Sequence, residues 1–107
     1  MASNEFVDYV TEALAGVGHI AARRMFGGVG LYCDGRFFAI IADDTLYFKA
    51  DEGCRKDFEA RNCPRFSYVR QGRTVYLNYY QAPTEALDDP AALQYWARKA
   101  LAAARPR

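Results

Sequence analysis

The fold is decided by the stretch LYCDGRFFAIIA, which occupies residues 31–42. At its centre, Asp34-Gly35 is the strongest hairpin signal in the chain, because a type I′ turn needs positive φ at both central positions. A two-residue loop there predicts three cross-strand pairs, namely Cys33 with Arg36, Tyr32 with Phe37 and Leu31 with Phe38. Residues 37–42 are apolar on both faces, as is typical of a central strand covered on two sides.

Strand patterns continue on both sides of this hairpin. Strand character begins at Ala22 and runs through the glycine-rich segment of residues 27–30, where we expect a bulge or bend. A phosphate-binding loop is not expected there, because a strand follows the glycines and the fingerprint lysine is absent. Asp43-Asp44 turns the chain into a third strand, and a second hairpin pairs residues 66–70 with residues 73–80.

Helical patterns occupy the two ends and the middle of the chain. Ser3 or Asn4 can cap a first helix, and Asp51 can cap a short one that runs to about Arg61. The last helix begins at Asp89-Pro90 and places Trp96 in its apolar stripe. The predicted order is α-β-β-β-α-β-β-α, a two-layer α+β fold with helices on an antiparallel sheet.

Composition restricts the classes of protein that remain. The 107 residues fit one domain, and 51% apolar with 25% charged residues is ordinary for a globular protein. A net charge of +1 argues against a dedicated nucleic-acid binder. The opening residues show no signal-peptide pattern and no apolar run is long enough to span a bilayer, so a cytoplasmic location is expected. Three cysteines without paired spacing are expected to be free thiols.

No catalytic, cofactor or metal site is predicted. His19 is the single histidine and has no evident nucleophile partner, and Cys54 and Cys63 lie too far apart in sequence for a zinc motif. Asp43-Asp44 and Asp88-Asp89 are explained as a turn and a helix start. Weak activation of the Cys63 thiol by neighbouring arginines is the one reactive feature expected.

A basic and aromatic segment offers an alternative function. Its arginines lie near Phe66, Tyr68 and Tyr76, and such a mixture can hold single-stranded nucleic acid by phosphate contact and stacking. The candidate contacts are Arg61, Arg65, Arg70 and Arg73. The nearly neutral chain favours the simpler interpretation, in which these charges protect a hairpin tip and strand edges.

Counting the faces of the sheet predicts a homodimer. The predicted pairs place Tyr32 and Phe37 on one apolar face with Ala39, Ile41, Leu46 and Phe48, and a second apolar face opposite. On the second hairpin, Tyr76 and Tyr80 share a mixed face that is typical of interfaces. We expect a two-fold dimer on that side, burying about 1,200–2,000 Å² in total. The alternative is a monomer whose first and last helices cover both faces.

Several motifs occur in an order that carries a family resemblance. They are Arg24-Met25-Phe26-Gly27-Gly28-Val29-Gly30-Leu31-Tyr32, Asp34-Gly35, Phe38-Ala39-Ile40-Ile41-Ala42, Leu46-Tyr47-Phe48-Lys49, Tyr79-Tyr80-Gln81-Ala82-Pro83, Leu87-Asp88-Asp89-Pro90 and Trp96-Ala97. In this order they resemble the TfoX N-terminal domain over about residues 20 to 104.

The resemblance implies a secretion-chaperone-like fold, with helices on a curved antiparallel sheet and a tendency to dimerise. It also implies action with transcription factors in competence regulation rather than catalysis, and it brings no catalytic residues. The expectation is therefore a non-enzymatic cytoplasmic module for protein interaction, without cofactor, metal or membrane contact. A direct nucleic-acid binder using residues 61–73 is the alternative.

Overall fold

The computed structural model describes residues 4–25 and 27–104, which form one six-stranded antiparallel sheet with helices packed on one face. The strands lie in the order β1-β2-β3-β4-β6-β5. Their bounds are β1 Ile20–Met25, β2 Gly28–Cys33, β3 Arg36–Ala42, β4 Thr45–Lys49, β5 Arg65–Arg70 and β6 Arg73–Gln81. The helices are α1 Asn4–Ala13, α2 Arg55–Ala60 and α3 Pro90–Ala103. The predicted α+β class is confirmed.

The glycine-rich segment folds the first strand region back on itself. Met25 pairs with Gly28 across the turn that separates β1 from β2, and Gly27 has φ of +79°. That left-handed conformation favours glycine, because a Cβ would strain it. The chain therefore reverses direction at the expected bend. It forms two antiparallel strands, β1 and β2, where the sequence pattern suggested a single bent strand.

The hairpin at residues 31–42 contains a bulge. Asp34 and Gly35 have φ of +51° and +84°, and the predicted pairs of Cys33 with Arg36 and of Tyr32 with Phe37 are confirmed. The third predicted pair is wrong, because Leu31 lies opposite Ala39 and Phe38 is the extra residue. The expected grouping of faces is corrected with it: Tyr32 and Phe37 face away from Ala39 and Ile41.

The core lies between the sheet and the helices. Trp96 of α3 is 5% exposed, and its ring centroid lies 4.9 Å from that of Phe58 in α2. Asp89 caps α3 by accepting hydrogen bonds from the Ala91 and Ala92 amides, and Pro90 occupies the first turn, as predicted. The Gln94 side chain donates to the Ala13 carbonyl at 2.9 Å, which ties α3 to the end of α1. Ser3, the other candidate cap of α1, lies outside the described residues.

Candidate functional site

One face of the sheet carries no helix in the described part of the chain, and we call it the open face. The helices pack against the other face, where Phe48, Tyr80 and their neighbours are buried. Alternation along the strands assigns a set of large apolar side chains to the open face. They are Met25, Tyr32, Phe37, Ile40, Tyr47, Phe66, Tyr68, Val75, Leu77 and Tyr79.

A first aromatic cluster crosses the middle of the open face. The Tyr32 and Phe37 rings stack with centroids 5.0 Å apart, and the Phe37 and Tyr79 rings lie 5.7 Å apart. Burial raises the pKa of Tyr79 to about 12, so its hydroxyl stays protonated at neutral pH. The Arg23 guanidinium lies 5.4 Å from the Tyr32 ring, and Lys49 Nζ lies 5.2 Å from the Tyr79 ring.

A second aromatic cluster lies where β4 approaches β5. The Tyr47 and Phe66 rings meet edge to face at 4.9 Å, and Phe66 lies 6.4 Å from Tyr68. Tyr68 is 40% exposed, which makes it the most accessible ring of this cluster. Burial raises the pKa of the Tyr47 hydroxyl, and the negative charge of Asp43 adds to that shift.

The charged side chains at strand positions of the open face are all cationic. Arg23 and Lys49 lie above rings of the first cluster. By alternation, Arg70 follows Phe66 and Tyr68 on β5, and Arg73 precedes Val75 and Leu77 on β6. No strand position on this face carries a carboxylate in residues 4–25 and 27–104, and Asp34, Asp43 and Asp44 lie in turns at its ends.

The four arginines of the predicted basic patch do not form one patch. Arg61 pairs with Glu85 and lies 5.6 Å from the Trp96 ring, in the helix layer. Arg65 donates to the Leu77 carbonyl at 2.8 Å and to Asn78 Oδ1 at 2.6 Å, so it is used within the domain. Arg70 and Arg73 face each other at the tip of the β5–β6 hairpin. The patch expected at residues 61–73 is therefore split between two surfaces.

Tyr80 is part of the core. It is 5% exposed, its ring stacks on Phe58 at 5.6 Å, and its hydroxyl donates to Glu59 Oε2 at 3.0 Å. A role for Tyr80 at an interface is thereby corrected, because α2 already covers its ring. Tyr76 is 59% exposed on the same side of β6, beneath the Arg65 guanidinium.

The thiols are buried and free. Burial raises the pKa of Cys33, Cys54 and Cys63. At Cys63 the charge of Glu85 raises the pKa as well, and together these effects outweigh the lowering by Arg61. The expected weak activation of Cys63 is therefore wrong.

Metal-binding side chains do not converge in the described part of the chain. No group of three or more His, Cys, Asp or Glu side chains there could hold a metal ion. His19 is exposed at the connection between α1 and β1. Of the helices within residues 4–25 and 27–104, none is long and apolar enough to cross a bilayer.

Arg23 and Lys49 were missed as site residues by sequence reasoning. The available signal was the two-residue alternation that Arg23 shares with Met25, and Lys49 with Tyr47. The bulge at Phe38 made this alternation hard to use. Because of the bulge, Tyr32 and Phe37 lie on the opposite face from Ala39, whereas the predicted register placed all three on one face.

The fold and the open face define a small two-layer α+β domain with an aromatic and basic sheet surface. The TfoX N-terminal domain model matches residues 12–104, and the chain belongs to this family. It is 31% identical over 77 residues to DNA transformation protein TfoX1 of Aliivibrio fischeri, covering 72% of this chain and 37% of that protein. It is 36% identical over 70 residues to Protein Sxy of Escherichia coli, covering 65% of this chain and 34% of that protein. The matched region thus spans little more than a third of each relative.

Proposed function

We propose that this protein is a non-enzymatic regulatory module for competence genes and acts in the cytoplasm. The observation that carries the proposal is the family match over residues 12–104, which includes nearly every described element. One of the relatives is named a DNA transformation protein, and transformation is the process that competence serves. Regulation requires a surface that contacts another molecule, and the chain has large exposed rings available for this on both sides of the β5–β6 hairpin.

The module acts, in this proposal, by contacting a protein of the transcription machinery. Tyrosine and arginine are enriched at protein interfaces, because both combine a broad apolar surface with hydrogen-bonding groups. Tyr76 and Val69 are 59% and 71% exposed and lie on one side of the β5–β6 hairpin. Neither side chain belongs to the core, so this surface can contact a transcription protein or a second copy of the chain, and the two contacts would compete.

A genetic experiment tests the proposed function. The gene is deleted in its native host, and the transcripts of DNA-uptake genes and the frequency of transformation are measured. We expect both to fall and to be restored by the wild-type gene. Complementation by a Val69→Asp/Tyr76→Asp variant, which leaves the core intact, is expected to fail. The control is Tyr95→Asp, which changes an exposed ring of α3 in the helix layer. Unchanged transcripts in the deletion strain would refute regulation of competence.

A further inference from the structure

The open face concentrates positive charge in a chain that is almost neutral. The net charge is +1, yet the strand positions of the open face carry Arg23, Lys49, Arg70 and Arg73 without a carboxylate in the described residues. Many of the compensating acids lie in the helix layer and its connections, among them Glu52, Asp57, Glu59 and Glu85. The whole-chain charge therefore does not describe this surface, which will attract anions.

The same face presents rings in two clusters across the sheet. One consists of Tyr32 and Phe37 packed on the buried Tyr79, and the other of Tyr47, Phe66 and Tyr68. Five strand spacings separate β1 from β5, or about 24 Å at about 4.8 Å each. That width accommodates a segment of several nucleotides lying across the strands. Stacking of bases on such rings tolerates any sequence, since every base has a π face.

We propose that the open face binds single-stranded nucleic acid, with bases stacked on its rings and phosphates held by Arg23, Lys49, Arg70 and Arg73. Bases and phosphates alternate along a single strand, and this surface places cations beside rings, so it can contact both. Arg23 and Lys49 lie over Tyr32 and Tyr79 without any carboxylate partner in the described contacts, so their N–H groups remain available to phosphate oxygens. The proposal is independent of the proposed role in competence.

Other occupants fit these observations less well. A second copy docked face to face would bring cations against cations, which disfavours the contact. An acidic peptide would satisfy the cations, but carboxylate side chains do not stack on aromatic rings as bases do. Duplex DNA keeps its bases stacked inside the helix, so they cannot reach a flat sheet.

Fluorescence anisotropy with a labelled oligothymidylate of about 20 nucleotides tests the proposal. We expect saturable binding at about 50 mM salt, weakening with a log–log slope of about −2 to −3, because three to four phosphates are neutralised. Arg23→Glu/Lys49→Glu is expected to reduce affinity at least about tenfold. The matched control, Lys56→Glu/Arg98→Glu, changes the net charge equally at exposed helix-layer positions and is expected to retain most of the affinity.

A second pair of variants tests stacking. Tyr68→Ala on the open face is expected to weaken binding by about fivefold or more, whereas Tyr95→Ala on α3 leaves it unchanged. Circular dichroism of all four variants confirms that each is folded. If the variant Arg23→Glu/Lys49→Glu does not fold, Arg70→Glu/Arg73→Glu at the exposed hairpin tip takes its place in the test.

Four outcomes would overturn the proposal. They are no saturable binding at low salt, equal loss in the open-face and control charge variants, tighter binding of a duplex or of polyglutamate than of the oligothymidylate, and a change of oligomeric mass in the open-face charge variant. The last would show that a second copy occupies the open face. If deletion of the gene lowers the transcripts of DNA-uptake genes but the protein does not bind the oligonucleotide, this proposal is refuted and the proposed function stands.

Discussion

Trp96 is the residue that joins α2, α3 and the sheet. Its ring lies against Phe58, and Phe58 in turn stacks on Tyr80 of β6. The Arg61 guanidinium and Lys99 Nζ lie over the indole, 5.6 Å and 5.9 Å from its ring centroid. The sequence pattern predicted this burial correctly, since Trp96 occupies the middle of the apolar stripe of α3.

Removing the Trp96 ring should therefore be costly. Trp96→Ala is expected to lower the free energy of unfolding by about 3–5 kcal/mol, because it leaves a cavity between α2 and α3. Urea denaturation followed by circular dichroism measures the change. Tyr95→Ala serves as the control, because this neighbouring ring is exposed, and it should cost less than about 1 kcal/mol. Equal effects of the two variants would contradict the central position of Trp96.

The Tyr79 hydroxyl makes stability depend on pH at the alkaline end. Its pKa is raised to about 12 in the folded protein by burial, against an ordinary value of 10.0. The folded state thus favours the protonated phenol. The corresponding stabilisation is complete below pH 10 and is lost as the pH rises from 10 toward 12. Tyr79→Phe keeps the ring and removes the proton, so the difference in stability between wild type and variant should change over that interval. A pH-independent difference would contradict the burial.

At the scale of elements, three hairpin turns were predictable, whereas the β1–β2 reversal and the bulge were not. The turns at 34–35, 43–44 and 71–72 each have two consecutive residues with positive φ, and their Asp-Gly, Asp-Asp and Gln-Gly sequences mark them as turns. The bulge leaves no such mark, because residues 37–41 are apolar throughout and any register buries an apolar side chain. The sequence therefore could not show which residues after Phe37 share a face of the sheet with Tyr32, and the open face could not be recognised from it.

The approach of β2 to β3 requires glycine at position 28. A Cβ there would lie 2.7 Å from the Ile41 carbonyl oxygen, and a backbone atom inside a sheet cannot move aside easily. Gly28→Ala should therefore destabilise the domain by about 1–3 kcal/mol, as overpacking commonly does. Thermal unfolding provides the measurement. Gly53→Ala is the control, because its Cβ would meet a single side-chain atom, Asp51 Oδ1, at 3.3 Å. A neutral Gly28→Ala variant would show that the two strands can separate.

At the scale of the whole molecule, the arrangement of charge differs from its sum. Composition alone argued against nucleic acid, since the net charge is +1. Folding separates the layers: Asp57 pairs with Lys99 and Glu85 with Arg61 among the helices and connections, while Arg23 and Lys49 contact rings on the open face. The register of the strands determines which charged side chains share a surface. That register depends on the bulge between β2 and β3, which the sequence did not reveal. The sequence therefore predicted the fold class well and the candidate site poorly.

The homodimer remains a proposal, and its surface has to be redrawn without Tyr80. Tyr76 and Val69 lie on the same, helix-side surface of the β5–β6 hairpin, where both are largely exposed. Edge-to-edge pairing of two β5 strands about their centre would place Arg65 opposite Arg70, which like charges disfavour. We therefore expect a dimer that packs the Tyr76 surface of one copy on that of the other.

Size exclusion coupled to light scattering measures the mass of the wild type and of two variants. We expect a dimer at tens of micromolar protein, with Tyr76→Glu shifting it to the monomer because a charge is buried at the contact. Tyr95→Glu places the same charge on an exposed position of α3 and should leave the dimer intact. A monomeric wild type would refute the dimer. A dimer that persists in Tyr76→Glu would refute this surface, and a copy of the chain would then have to contact another part of the molecule.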